Sequence, residues 1–291
     1  MKERSKVIYS QGGMGNQLFQ YAFYLDLKAK GYKAEFNTGR VVYDNQHGGI
    51  NLNDIIEFSE SSIISKNIEL PWLIRDSFIC KVARKIFRMF GIRKIGRNFY
   101  DYDALSKYDS INVSSYNNFF GYFQFVDSAI VVKRNLEESI RKKHLDTLLK
   151  YKMKYHGCLA IHIRRGDFIA SKNSLHKVYD CEFLESILSY EKNEKVVVFS
   201  DDIKWCEENL AHFENVSFHK GTSAIDDFLA MSQCEKYILF GSTFSWWSAF
   251  LFSEENSQIK VINSCPGQYC NALSVCRLGW DFYQTPSNFN L

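Results

Sequence analysis

The sequence predicts an α/β fold built from two Rossmann-like units, and three observations predict it. The chain opens on a short apolar strand, a glycine-rich turn and an apolar run at helical spacing. From about residue 155 short apolar strands alternate with helical segments, the pattern of a doubly wound, largely parallel sheet. With 291 residues, 46% hydrophobic and 24% charged, the chain has length for two domains and apolar content for two cores.

KVIYS reads as the first strand and QGGMG as a tight turn. NQLFQYAFYLDLKAK then places Leu18, Phe19, Ala22, Phe23, Leu25 and Leu27 at helical spacing, and GYKAEFN is a turn and a second strand. Residues 40–125 are less regular. Within them, residues 79–97 hold seven Lys or Arg and no acid. Ile79, Val82, Ala83, Ile86, Phe87 and Phe90 fall on one helical face there, which predicts a basic amphipathic helix over 79–97. Two readings of it stay open: a surface helix with a solvated basic rim, or peripheral contact with an anionic membrane surface. FFGYFQF reads as a strand and VDSAIVVKRNLEESIRKKHLDTLLK as a long helix, near which the chain divides into domains 1–150 and 151–291.

In the second domain CLAIHI, KVVVFS, VSFH, KYILF and IKVIN are the strands. YDCEFLESILSYEK, IKWCEENL, SAIDDFLAMSQC and FSWWSAFLF are the helices between them.

Composition excludes several function classes. A net charge of +3 is too small to argue for nucleic acid. No stretch approaches the length of a membrane-spanning helix, and MKERSKVIYS lacks the apolar run of an export signal. A cytoplasmic protein is expected, at most peripheral on the inner membrane face. Its eight cysteines show no CxxC pair and are expected as free thiols; Cys265, Cys270 and Cys276 match no zinc spacing.

The chemistry is expected at the carboxyl ends of the second domain's strands, where open α/β sheets bind ligands. CLAIHI runs into Arg164, Arg165 and Asp167; VVVF into Ser200, Asp201 and Asp202; YILF into Gly241, Ser242, Thr243 and Ser245. Two adjacent guanidinium groups grip phosphate oxygens and stay charged at any working pH. The start of helix FSWWSAFL adds backbone N–H groups for an anion. The carboxylates suit the N–H edge of a base such as guanine, so a nucleoside diphosphate spanning the crevice satisfies both ends. For single residues the bland readings are caps and turns, and Trp246 and Trp247 are expected as core rather than as a sugar platform. The RGD tripeptide ends a buried strand and is not read as an adhesion motif.

The amino-terminal turn admits a second reading. Gly13-Met14-Gly15 follows a strand and opens a helix, and Glu35 lies 20 residues beyond Gly15, as in an NAD-binding fingerprint. Leu18 stands where the third glycine belongs, however, and Asn16 and Gln17 are polar enough to hydrogen-bond a sugar instead.

GGMGNQLFQYAF, GYFQ, HIRRGDF with FSDDIKW, and DDFLAMSQCEKYILFGSTFSWWSAFL, in this order and spacing, resemble the bacterial α-1,2-fucosyltransferases of glycosyltransferase family 11. The resemblance covers most of the chain and departs only mildly at Met14 and Phe168; the cysteine-rich tail after Ile262 is unmatched. It implies two facing Rossmann-like domains of GT-B type, the first on the acceptor side and the second binding GDP-sugar. It implies inverting transfer of L-fucose from GDP-β-L-fucose to the 2-hydroxyl of a terminal galactose, on an oligosaccharide or a lipid-linked glycan, without a metal or other cofactor. Arg164 takes the diphosphate with Arg165 close by, His162 and Asp201 the guanine and ribose end, and Ser242, Thr243, Phe244 and Ser245 the phosphate loop. Asn16 stands beside the reacting centre; the base is left open between His47, Asp44 and Asp54 on the acceptor side. A GDP-sugar-binding protein without turnover is the remaining alternative.

Overall fold

The computed structural model describes residues 5–39, 41, 52–57, 64–65, 78–101, 107–166, 169, 178–262 and 271–284. The chain forms two compact units, Met1–Ser139 and Ile140–Leu291. The division falls inside a long helix, ahead of the 150/151 boundary expected from the sequence.

The first unit holds a six-stranded sheet: β1 (Lys6–Tyr9), β2 (Ala34–Asn37), β3 (Ile64–Ser65), β4 (Lys94–Ile95), β5 (Asn98–Asp101) and β6 (Asn118–Gly121), in the order β3-β2-β1-β6-β5-β4. All its pairings are parallel except β4 with β5. Helix α1 (Met14–Ala29) buries Leu18, Phe19, Ala22 and Phe23 completely. Phe23 meets Phe119, Phe123 and Phe125 at ring-centroid distances of 4.9–5.5 Å, so part of the aromatic surplus of the sequence is this core. The helix stops at Gly31, whose φ of +84° suits a residue without a Cβ and whose N–H bonds back to the Lys28 carbonyl.

Two expectations for this unit need correction. Helix α2 (Phe78–Met89) is shorter than the predicted 79–97. Gly91 at φ +64° ends it, and Gly96 at φ +58° turns the chain between β4 and β5, so the last basic residues lie on a hairpin. FFGYFQF is strand only to Gly121, because Phe123 takes φ +45° and breaks the extended run.

Helix α3 (Val126–Tyr155) is one long element kinked at His144. The second unit follows with β7 (Leu159–Ile163), α4 (Cys181–Tyr190), β8 (Val196–Ser200), α5 (Ile203–Leu210), β9 (Val216–Phe218) and α6 (Ala224–Met231). It ends with β10 (Lys236–Leu239), α7 (Thr243–Phe252), β11 (Gln258–Ile262), α8 (Ala272–Arg277) and β12 (Asp281–Tyr283). Its sheet is wholly parallel, in the order β12-β11-β10-β7-β8-β9. β7 is buried at every residue, as a central strand covered on both faces must be. Trp246 and Trp247 are fully buried against Phe250 and are core. The described cysteines Cys80, Cys158, Cys181, Cys206, Cys234 and Cys276 are free thiols; Cys265 and Cys270 lie outside the described residues. Among the described residues no helix is long and apolar enough to cross a membrane.

Candidate functional site

A parallel sheet opens a crevice where two neighbouring strands send their connections to opposite sides. In the second unit that switch point lies between β7 and β10: the chain runs from β7 outward through β8 and β9, then returns to β10 on the other flank. The carboxyl end of β7 delivers Arg164 and Arg165, and that of β10 delivers Gly241, Ser242 and the N-terminus of α7. Gly241 makes the strand-to-helix turn at φ +91°. A small pocket there lies between His162, Arg164, Phe240 and Ser242, with Tyr179 and Leu184 behind it.

Arg164 is fixed by Asp201. Its Nε lies 3.1 Å from Asp201 Oδ2, and the other carboxylate oxygen accepts the Arg165 N–H at 2.9 Å. Gly166 keeps that carboxylate in place, since a Cβ there would stand 2.8 Å from Asp201 Oδ2. Arg165 is committed elsewhere: its guanidinium stacks on Trp205 at 3.4 Å from the ring centroid and its Nε reaches Asp202 at 3.4 Å. Asp202 also caps α5 through the Trp205 N–H, and Ser200 ties β8 to β7 by donating to the Ile163 carbonyl. Of the two arginines, Arg164 is therefore the one braced beside the pocket.

His162 is buried, with its Nδ1 lacking a hydrogen-bond partner among the described residues and its ring 5.2 Å from that of Phe244. Burial, reinforced by the Arg164 charge and opposed by Asp201, pushes its pKa down to about 4. It is a neutral imidazole at working pH. Ser242, Thr243 and Phe244 are partly exposed at the helix start. Ser245 is fully buried and donates to the Ser242 carbonyl at 3.1 Å, so it shapes the turn from within.

The first unit has its own switch point, between β1 and β6. Asn16 and Gln124 meet there: Asn16 Oδ1 accepts from Gln124 Nε2 at 3.0 Å. Gln17 donates to the Gly12 carbonyl, and Gln20 bridges Gln11 and the Gly121 carbonyl. The polar residues that sit oddly at a helix start thus knit GGMGNQ to GYFQ. Glu35, the acid of the dinucleotide reading, pairs with Val7 in the middle of β2 and not at its carboxyl end. His47, Asp44 and Asp167 lie outside the described residues, whereas Asp54 is exposed at the end of a short 3-10 helix.

The structure adds a group that the sequence reading passed over. At the end of β9, buried His219 shares a hydrogen bond with the Tyr155 hydroxyl through its Nδ1 at 2.7 Å, and its Nε2 lies 3.4 Å from Asp227 Oδ1. Burial and the neighbouring Asp226 charge push Asp227 up to about 6. For Asp226, burial works upward but is outweighed by hydrogen bonds from Tyr151 and the Thr222 N–H. The signal was there in HKGTSAIDD, two acids in the first turn of a helix one short loop after a strand. The cluster continues the row of polar strand ends from β10 through β7 and β8 to β9.

Two Rossmann-like units, the second with a braced arginine beside a helix N-terminus at its switch point, form an arrangement suited to a phosphate-bearing ligand. The chain matches the model of glycosyl transferase family 11 over residues 6–283 and belongs to that family. It is 27% identical to the O-antigen biosynthesis glycosyltransferase WbnK of Escherichia coli, over 84% of this chain and 89% of the relative. It is 28% identical to an alpha-1,2-colitosyltransferase of Escherichia coli, over 82% and 85%. A shorter match, 30% identical over 33% of the chain and 28% of the relative, is to mouse galactoside alpha-(1,2)-fucosyltransferase 1. Among solved structures, fucosyltransferase NodZ from Bradyrhizobium shares the fold at a TM-score of 0.52 and 16% identity, covering 86% of this chain and 94% of that one. The fold is thus the GT-B fold, and the oxidoreductase reading of the GGMG turn falls.

Proposed function

We propose that this enzyme transfers L-fucose from GDP-β-L-fucose to the 2-hydroxyl of a terminal galactose, with inversion and without a metal. The observation that carries the reading is Arg164, held by Asp201 at the β7–β10 switch point beside the N-terminus of α7. As the bond between fucose C1 and the β-phosphate oxygen breaks, negative charge grows on the departing GDP. A guanidinium already fixed in place, with the N–H groups at Ser242–Thr243, stabilises that charge without reorganising, which is how such preorganised donors accelerate group transfer. Neutral His162 offers a hydrogen bond without adding charge, and Arg165 supports the loop through Trp205.

The galactose oxygen attacks C1 from the face opposite the leaving diphosphate, and its proton passes to a base. Asn16 is the acceptor-side residue in this reading. Its Oδ1 is occupied by Gln124, which leaves its Nδ2 as a donor to orient the acceptor hydroxyl; an amide does not take the proton. The base is assigned to His47 or one of the nearby carboxylates of residues 44–54. The acceptor in this reading is a galactose-terminated oligosaccharide or lipid-linked glycan; the names of relatives that are galactoside fucosyltransferases support its galactoside part. One of those relatives is named as a colitosyltransferase, so a colitosyl donor is the second reading.

Release of GDP from GDP-fucose and from GDP-colitose, measured across a panel of β-galactosides, tests both. Fucose transfer with a new 1,2-linkage, identified in the product by NMR, is expected. Preference for the colitosyl donor replaces the first reading with the second. GDP-fucose binding without GDP release from any galactoside favours a binding protein without turnover.

A further inference from the structure

Helix α2 packs through only part of its apolar surface. Ala83 and Phe87 lie against the stacked Tyr9, Tyr100 and Phe120, and Cys80 is buried. The rest of the apolar arc is uncovered: Phe78 is 81% exposed, Ile79 74%, Met89 72% and Phe90 68%, with Val82 and Ile86 between them at 40% and 44%. At a period of 3.6 residues these positions form one continuous stripe along the helix. Monomeric surfaces rarely leave so many large apolar side chains side by side.

The charge around the stripe is of one sign. Residues 79–97 contain seven Lys or Arg and no Asp or Glu, and Lys85, Lys94 and Arg97 are exposed. A second copy docking face to face would set these cations against their own equivalents, since a two-fold interface presents the same patch from both sides. A nucleic acid would answer the charge but leave the apolar stripe in water. An anionic bilayer answers both: its lipid phosphates meet the cations while its acyl boundary takes up the apolar side chains. We infer that the face of α2 bearing Ile79, Val82, Ile86 and Met89, with the basic hairpin that follows, docks this enzyme on an anionic phospholipid surface. This stands on the helix alone and not on the reading of the transfer site.

Cosedimentation of the full chain with vesicles tests it without reference to transfer activity. The protein is expected to sediment with vesicles of equimolar phosphatidylcholine and phosphatidylglycerol and not with pure phosphatidylcholine. The double variant Ile79→Ser, Met89→Ser changes only exposed side chains, so its thermal midpoint should hold while its bound fraction falls at least about tenfold. Lys85→Glu with Lys94→Glu should abolish binding to the anionic vesicles as well. Binding unchanged in both variants, equal binding to neutral vesicles, or no binding at all overturns the inference. So does a dimer in ultracentrifugation that Ile79→Ser, Met89→Ser dissociates, for then the stripe is a self-association surface.

Discussion

Arg164 Nε and Asp201 Oδ2 stand 3.1 Å apart at the carboxyl ends of two adjacent strands. The carboxylate that the sequence suggested for a guanine base grips the arginine and the backbone N–H of the next residue. In the proposed reaction it is a positioning group, acting on the diphosphate through Arg164.

Arg164→Ala should therefore lower the rate of GDP release by about a hundredfold or more, the usual cost of losing one preorganised donor. Asp201→Asn keeps the shape but loosens the arginine, and a loss of about tenfold is expected. Thermal midpoints report whether each fold persists. Near-normal turnover in the folded Arg164→Ala protein removes this residue from the diphosphate.

Asn16→Ala and Gln124→Ala should both reduce kcat, by similar factors, because the second amide holds the first. Neither group titrates, so the pH–rate profile should keep its shape in both variants. His47→Ala, in contrast, should flatten the acidic limb if His47 is the base. A profile unchanged by His47→Ala passes the role to a carboxylate.

His162 gives an acid-stability prediction with a definite sign. Its folded pKa lies near 4, below the 6.5 of the free side chain, so the unfolded chain binds the proton first. The stability it contributes is complete above pH 6.5 and is lost as pH falls toward 4, on the order of 3 kcal/mol in all. Asp227 runs the other way: with a pKa raised from 3.8 to about 6, it favours the folded state in acid and less so as pH rises through that window. Denaturant midpoints against pH should show a shallower acid loss for His162→Asn than for the parent. Asp227→Asn should gain on the parent between pH 4 and 7, and parallel curves for all three proteins would refute both assignments.

Gly121→Ala tests the backbone that joins the two amino-terminal motifs. A Cβ at Gly121 would lie 2.6 Å from the Asp101 carbonyl oxygen of the neighbouring strand, at a φ of +154° that disfavours side chains. Backbone cannot yield as a flexible side chain does, so a loss of roughly 2–4 kcal/mol is expected, visible as a drop in thermal midpoint. A midpoint within a degree or so of the parent would mean that the strands separate easily there.

Much of this was legible in the chain itself. The helix of residues 14–29, five of the six strands of the second unit and the burial of Trp246 and Trp247 follow from apolar spacing, which is a property of neighbours in sequence; the three-residue β12 is too short to show such spacing. The errors came where single glycines act: Gly91 and Gly96 cut the basic helix short, and Gly121 with Phe123 ended a strand that composition alone would continue. A positive φ leaves no mark on hydrophobic periodicity.

Roles within the site divide in the same way. That Arg164, Asp201 and Ser242 belong to strand ends is written in local sequence, as is the family they mark. That Arg165 stacks on Trp205, that Asp201 pairs with Arg164, and that Asn16 meets Gln124 was settled only by tertiary structure. These pairs lie 37 to 108 residues apart in the chain and become neighbours through sheet order, which long-range packing selects and no local pattern encodes.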